Sequence, residues 1–289
     1  MPDEITVKDG YMYGAWRRTV NTSIDVKDSI HDDETAKKVG MRGGAVAGTN
    51  HLDLFIPVLL KAFGQRWFEQ GSLSIYYTYA TRDREEVRAV IGVPLEGAKD
   101  VQVEAWLEMP DGHTVGKGTA SVGEPEELSA LMAVELKSSD SGEPRILAGL
   151  KAGDELPSRD VVITQEEVNK RLEVTTDPLD WYKGGSPWGG AVLPPRTMYD
   201  AMVIGYEQRK IEAVGFFGAT ELRNVNGPIK VGVPYRVTSN IVYVGTSPKT
   251  EYFWYDSYLD DKDGKRVAEM RHMLRFMKVS SPLYQDSKR

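Results

Sequence analysis

The stretch from Ser29 to Asn50, SIHDDETAKKVGMRGGAVAGTN, sets one histidine, His31, an acidic cluster and a glycine-rich turn directly before the most regular helical pattern of the chain. Leu52, Phe55, Ile56, Leu59, Leu60 and Phe63 recur at the spacing of a helix buried along one broad face. Gly43, Gly44 and Gly48 then lie just upstream of a helix N-terminus. Unpaired backbone N–H groups and the positive end of the helix dipole can receive a carbonyl oxygen or an oxyanion there. A histidine beside such donors points to acid–base work on a carbonyl compound.

Composition removes several other chemistries. The 289 residues suffice for one large domain or two ordinary ones, and 40% hydrophobic with 27% charged residues describes a globular chain. A formal charge of −7, with acids spread along the chain, gives no electrostatic footprint for nucleic acid. No apolar run has the length of a membrane span and the N-terminus, MPDEITVKDG, has no secretory apolar core, so the expected compartment is the cytoplasm. With no cysteine, disulfides, thiolate metal sites and a cysteine nucleophile are excluded.

Only His31, His51, His113 and His272 remain as imidazoles. His51 and His113 read as groups that cap or decorate their elements, and His272 as a strand residue with a structural role. Asp32, Asp33 and Glu34 do not converge on a metal ion, because adjacent residues diverge and no second histidine sits at ligand spacing. Gly116-x-Gly118 lacks the third glycine of a dinucleotide fingerprint, and Gly184-Gly185-Ser186 has Trp188 where a nucleophile elbow needs glycine. Tyr252-Phe253-Trp254-Tyr255 reads as sheet core. No cofactor is expected.

Tyr11 to Val26 supplies an edge strand. Acids after His31, then Lys37, Lys38 and Gly40, predict a short dipole-matched helix. A long helix runs from about Asn50 to Ala62, bent or confined by Pro57. Strands follow at Leu73–Thr81, Glu86–Val93, Val101–Met109 and His113–Val122, the last two joined through Pro110-Asp111-Gly112. Glu126–Leu136 suggests a short helix, and the polar run Lys137 to Pro144 a linker. A Thr164/Glu167 capping box opens another short helix, and a second long helix is expected around Thr197–Ile211. Strands recur at Thr220–Val225, Tyr235–Val244, Glu251–Leu259 and Arg266–Val279. The class is α+β.

The halves are related: Gly43-Gly44-Ala45-Val46 recurs 146 residues later as Gly189-Gly190-Ala191-Val192, before a helix and four strands in each case. This divides the chain into a repeat at 1–124, a linker at 125–158 and a second repeat at 159–289, which can pack as a pseudo-dimer.

His31-Asp32-Asp33, with Ala36, Gly40, Gly43, Val46 and Gly48 downstream, resembles the MaoC-like hydratase and dehydratase branch of the hot-dog fold, and the duplication resembles its double hot-dog members. The resemblance covers Lys27–Leu52 best. It implies a long central helix wrapped by antiparallel sheet in each repeat, and reversible water addition to an enoyl thioester. His31 matches the catalytic histidine and Gly48 the glycine whose N–H holds the thioester carbonyl. Val26 stands five residues before His31, where the family carries its aspartate, so Asp28, or in its place Asp25, is the expected partner. Ala47 stands where the family tends to have histidine.

The expected activity is therefore that of a hydro-lyase on an enoyl or 3-hydroxyacyl thioester, carried by coenzyme A, in a homo-oligomer. A hot-dog thioesterase led by Asp53 and a non-catalytic ligand-binding protein are the alternatives. Arg42, Trp181 and Trp188 are expected to bind substrate, the two tryptophans as an aromatic acyl wall favouring bulky or cyclic groups or else as packing between the repeats. At the 146-residue offset His31 maps to Asp177, Asp28 to Val174, Arg42 to Trp188 and Gly48 to Pro194, which has no N–H. One centre per chain, in the first repeat, is the consequence.

Overall fold

The alternation of apolar and polar residues after Gly71 builds strands, and the 3.6-residue pattern before it builds the helix they cover. The computed structural model describes residues 5–204 and 213–278. Its first half forms β1 (Thr6–Lys8), β2 (Tyr11–Tyr13), β3 (Arg17–Arg18), α1 (Asp33–Lys38), a 3-10 helix (Gly48–Phe55), α2 (Ile56–Phe63), α3 (Arg66–Gln70), β4 (Gly71–Tyr77), β5 (Glu86–Gly92), β6 (Val101–Glu108) and β7 (Thr114–Val122). The second forms β8 (Glu155–Val161), α4 (Gln165–Leu172), a 3-10 turn (Asp180–Tyr182), α5 (Pro195–Met202), β9 (Gly215–Asn224), β10 (Tyr235–Thr246), β11 (Thr250–Asp260) and β12 (Arg266–Met277).

One antiparallel sheet joins the halves. Its order β2-β5-β6-β7-β4 meets the mirrored order β9-β12-β11-β10-β8 at the β4–β9 pair. The helices pack on one face, where Leu52, Phe55, Ile56, Val58 and Leu59 are buried with Leu73, Ile75, Leu222 and Leu274 in the main core. This is the α+β double hot-dog architecture.

Backbone bonds fix how the repeats superpose. Ala45 N–H donates to Ile30 O and Val46 N–H to Thr81 O; Val192 N–H donates to Trp181 O and Leu193 N–H to Ile229 O. Val192 thus stands for Ala45, 147 residues on. Ser74 and Glu221, also 147 apart, are directly paired across β4 and β9, with Ser74 Oγ donating to Glu221 Oε2 at 2.7 Å. The pseudo-twofold axis passes between them.

Several sequence expectations need correction. The Gly-Gly-Ala-Val match is one residue out of register with the backbone. Gly189 and Gly190 both take left-handed φ values (+73° and +79°) in a turn that the first copy does not have. The 50–62 helix is split: Ile56 N–H closes a 3-10 bond to Asp53 O, and Pro57, lacking an N–H, falls in the first turn of α2. Tyr11–Val26 yields only β2 and β3. Of the 197–211 helix, α5 ends at Met202 and residues 205–212 lie outside the described set, as does Val279.

Residues 126–136 are not helical. They run extended and turned across the opposite face of the sheet, where Leu131, Val134 and Leu136 pack with Tyr252, Trp254 and Met273. The reason is reach: β7 and β8 are six strand positions apart, about 29 Å at the usual strand spacing. β8 itself begins at Glu155, inside the stretch expected as linker. No helix among the described residues is long and apolar enough to cross a membrane.

Asp53, the candidate thioesterase carboxylate, is instead a bond between halves. Arg171 Nε and Nη2 donate to its Oδ2 at 3.1 and 2.9 Å, and Arg196 N–H to its Oδ1 at 2.9 Å. Replacing Asp53 with Ala strands the Arg171 charge and should lower unfolding stability by about 3–5 kcal/mol. Denaturant titration should also show Asp53→Leu combined with Arg171→Met recovering most of that loss.

Candidate functional site

His31 is placed by local geometry. Asp32 caps α1, its side chain accepting from Glu34 N–H and Thr35 N–H, and Lys37, Lys38 and left-handed Gly40 close that helix as its charge pattern predicts. Asp33 Oδ1 accepts from Gly44 N–H at 2.7 Å, and this bond, with Lys37, holds the Asp33 carboxyl below its usual range. Gly44 must be glycine, because a Cβ there would lie 2.3 Å from His31 O. The loop so pinned presents Ala45 O to His31 Nδ1 at 2.6 Å. A carbonyl oxygen only accepts, so Nδ1 carries the proton and the Nε2 lone pair is left free.

His31 lines a cavity of about 590 Å³ together with Gly48, His51, Thr81 and the aromatic residues Tyr76, Tyr77, Tyr79, Phe216 and Phe217. Gly48 opens the 3-10 helix, and among the described residues its N–H has no acceptor. Tyr77 packs against it so closely that a Cβ on Gly48 would meet the ring at 2.8 Å, and Tyr77 Oη donates to Thr220 Oγ1 at 3.1 Å. His31 and Gly48, whose Nε2 and backbone N–H have no partner among the described residues, therefore line one cavity. No aspartate or glutamate lines it among the described residues.

The expected carboxylate partners are elsewhere. Asp25 and Asp28 are exposed, Asp28 in a left-handed conformation (φ 58°), and among the described residues neither bonds His31. The turn closed by Ser29 Oγ on Val26 O carries them away from the imidazole. The Ala45 carbonyl makes the ring-orienting contact instead.

Arg42 does not line the cavity. Its guanidinium grips Glu85 with two bonds of 2.8 and 2.9 Å and lies 4.8 Å from the Tyr79 ring centre. Against the cost of burial, Arg42 and Arg82 hold the Glu85 carboxyl down at about 2. Trp181 and Trp188 do not line it either. They form a cluster with Phe68, at ring separations of 5.6 and 5.8 Å, and Trp188 Nε1 donates to Glu69 Oε1. Of the two roles expected for them, packing is the one observed.

That cluster occupies the pseudo-symmetric counterpart of the cavity. The equivalent bonds to Ile30 O and Trp181 O make Tyr182, which follows Trp181 as His31 follows Ile30, the counterpart of His31, and the 147-residue offset makes Pro195 that of Gly48. Tyr182 is 1% exposed and packs against Phe68.

His51, expected to be structural, is in the cavity wall. Gly48 and His51 are three residues apart on a 3-10 helix, which puts them on one face, a signal present in the sequence. His51 Nε2 lies 2.9 Å from Thr81 Oγ1 and Nδ1 has no partner. Burial, aided by the Arg171 charge, pushes its pKa down to about 4. His272, wholly buried in β12 with Nδ1 against Thr220 Oγ1, is pushed down to about 3 by burial and Arg196. His113 is exposed, paired with Asp111 and stacked on Tyr79 at 4.4 Å.

No family model and no curated protein matches the sequence. Solved structures do match the fold. A MaoC domain protein assigned as a dehydratase from Chloroflexus aurantiacus superposes with a TM-score of 0.67 at 10% identity, covering 96% of this chain and 98% of that one. A conserved Mycobacterium tuberculosis protein with a double hotdog fold gives 0.56 at 10% identity, covering 96% and 97%. A protein assigned as an oleoyl thioesterase from Lactobacillus plantarum gives 0.50 at 13% identity, covering 93% and 97%. The chain shares the double hot-dog fold with dehydratases and thioesterases alike.

Two measurements follow from this geometry. His51 and His272 are held neutral, with folded pKa values below the ordinary 6.5. Their contribution to stability is complete above that value and is lost as pH falls towards 4 and 3. Urea unfolding between pH 6 and 4.5 should show a steep loss, and His272→Asn should flatten it by about 1.4 kcal/mol per pH unit. Trp188→Ala should cost roughly 2–4 kcal/mol of stability while leaving ligand preference at the His31 cavity unchanged; a shifted preference would put Trp188 back in the site.

Proposed function

We propose that the protein is a hydro-lyase that adds water to an enoyl thioester, or removes it from a 3-hydroxyacyl thioester, at one centre per chain. The observation that carries this reading is the bond from His31 Nδ1–H to Ala45 O, which leaves Nε2 as a base on a cavity also lined by Gly48, whose N–H is unpaired among the described residues. The shared fold with dehydratases supports it.

In the hydration direction His31 Nε2 takes a proton from water as the water oxygen bonds to the β-carbon. The alkene electrons move to the thioester oxygen, where the Gly48 N–H receives the developing enolate. The imidazolium then returns a proton to the α-carbon as the enolate collapses. Dehydration is the reverse. One histidine thus serves as base and then acid, with no carboxylate among the described residues of the cavity wall to share the work. A thioesterase using Asp53 is disfavoured, since that carboxylate is committed to Arg171 and Arg196 away from the cavity.

The acyl group is expected to be flat or cyclic, with Tyr76, Tyr77, Phe216 and Phe217, in place of Trp181 and Trp188, supplying the aromatic wall. Coenzyme A is the expected carrier. Single occupancy follows from Pro195, which has no N–H, and from the aromatic cluster where the second cavity would be.

His31→Ala should reduce hydration of enoyl thioesters by at least about a hundredfold with the fold retained. Titration with a saturated thioester analogue should saturate at one ligand per chain. Near-normal turnover in the variant, or two equivalent sites, would overturn the proposal.

A further inference from the structure

The cavity does not end at the aromatic wall. β4 and β9 pair from Ser72 to Tyr76 and then part, and the lining continues between them to Ser247, Lys249, Thr250 and Arg275. Arg275 follows Leu274 in β12 and so takes the opposite face of the sheet from the helices. Its Nη2 donates to Tyr76 Oη at 2.7 Å, its Nη1 to Thr250 Oγ1 at 3.2 Å, and its guanidinium lies 5.1 Å from the centre of the Tyr252 ring. Gly218 makes room for it: a Cβ there would sit 3.1 Å from Arg275 Nε and 2.2 Å from the Met273 methyl.

These partners are all neutral. Among the described residues neither Arg275 nor Lys249 has a carboxylate counter-ion, and no acid lines the cavity that joins them to His31. This stands out in a chain of net charge −7, in which Arg17, Arg42, Arg88, Arg171, Arg266 and Arg271 each hold an acid. A guanidinium that is positioned by hydroxyls and a ring but left without its charge partner is preorganised for an anion brought by a ligand.

We propose that Arg275, assisted by Lys249, is an anion subsite that takes a phosphate or carboxylate group carried by the thioester ligand at the far end of the His31 cavity. The proposal rests on the reading of that cavity as a thioester site. The anion can belong to the carrier, as a phosphate, or to the tail of the acyl group, as a carboxylate; the chemistry of recognition is the same and experiment separates the sources.

Calorimetric binding of saturated, unreactive thioesters tests it independently of turnover. The ligands are one acyl group on coenzyme A and on pantetheine, and an acyl group of equal length ending in a carboxylate, on both carriers. A carrier phosphate predicts that coenzyme A thioesters bind about tenfold or more tightly than pantetheine thioesters; an acyl carboxylate predicts that preference for the carboxylate-bearing chain on either carrier. In both cases Arg275→Gln abolishes the preference, Arg275→Lys keeps part of it, Lys249→Gln weakens it, and raised salt shrinks it. Arg275→Lys and Lys249→Gln keep the test decisive if Arg275→Gln does not fold.

Equal binding of every ligand by wild type and variants, or none at all, overturns the subsite. Arg275-dependent binding in a protein that hydrates no enoyl thioester supports the subsite and refutes the hydro-lyase reading. Hydration by an Arg275→Gln protein that keeps wild-type affinity for every ligand refutes the subsite alone.

Discussion

The antiparallel β4–β9 pair is the constraint on which the molecule depends. Its register sets Ser74 opposite Glu221 and so fixes the pseudo-twofold axis, the mirrored strand order and the placement of both helix sets on one face. Burial pushes the Glu221 carboxyl up, and it is kept satisfied by Ser74 from within the pair and by Ser129 from the crossing linker. The same pair limits the site. Where β4 and β9 stop pairing the sheet opens, and that opening lets one cavity reach from His31 on the helix side to Arg275 on the other.

The chemistry is then built from few groups. A backbone carbonyl does for His31 what a carboxylate would otherwise do, holding the ring and choosing its tautomer, but it adds no negative charge to support an imidazolium. The buried His51, held neutral, adds no charge of either sign. Among the described residues the cavity therefore carries no negative charge from end to end. Its two ends differ in kind: neutral donors and a lone pair where a carbonyl would react, fixed positive charge where an anion would rest.

Much of this was legible in the sequence where the determinants are local. The short charged helix, the Thr164–Glu167 capping box, the hairpin glycines and the eight repeat strands, of which β9 begins at Gly215 and not at Thr220, follow from spacing and turn chemistry, and so does the neighbourhood of His31 and Gly48. What failed was non-local or conformational. Two glycine pairs with the same letters adopt different backbones, which hid a one-residue shift between repeats. Asp25 and Asp28 looked near His31 along the chain, but a tight turn separates them. Arg42 was drawn off by Glu85, and Trp188 by Phe68 and Glu69, partners far away in sequence. The walls of the cavity, from Tyr76 to Arg275, come from strands up to about 200 residues apart, whose meeting no local pattern announces.

The extended linker has a further consequence. Two identical subunits meeting at such a junction would carry every substitution twice, so a residue that filled one cavity would fill the other and end the activity. By running across the back of the sheet and joining the halves covalently, residues 123–154 release them from that symmetry. Tyr182 can then occupy the place that His31 holds in the other half, and glycine can line one cavity at 215 while Phe68 plugs its counterpart. Joined in one chain, one half can keep an open chamber and the other a packed buttress, each free to change without the consent of the other.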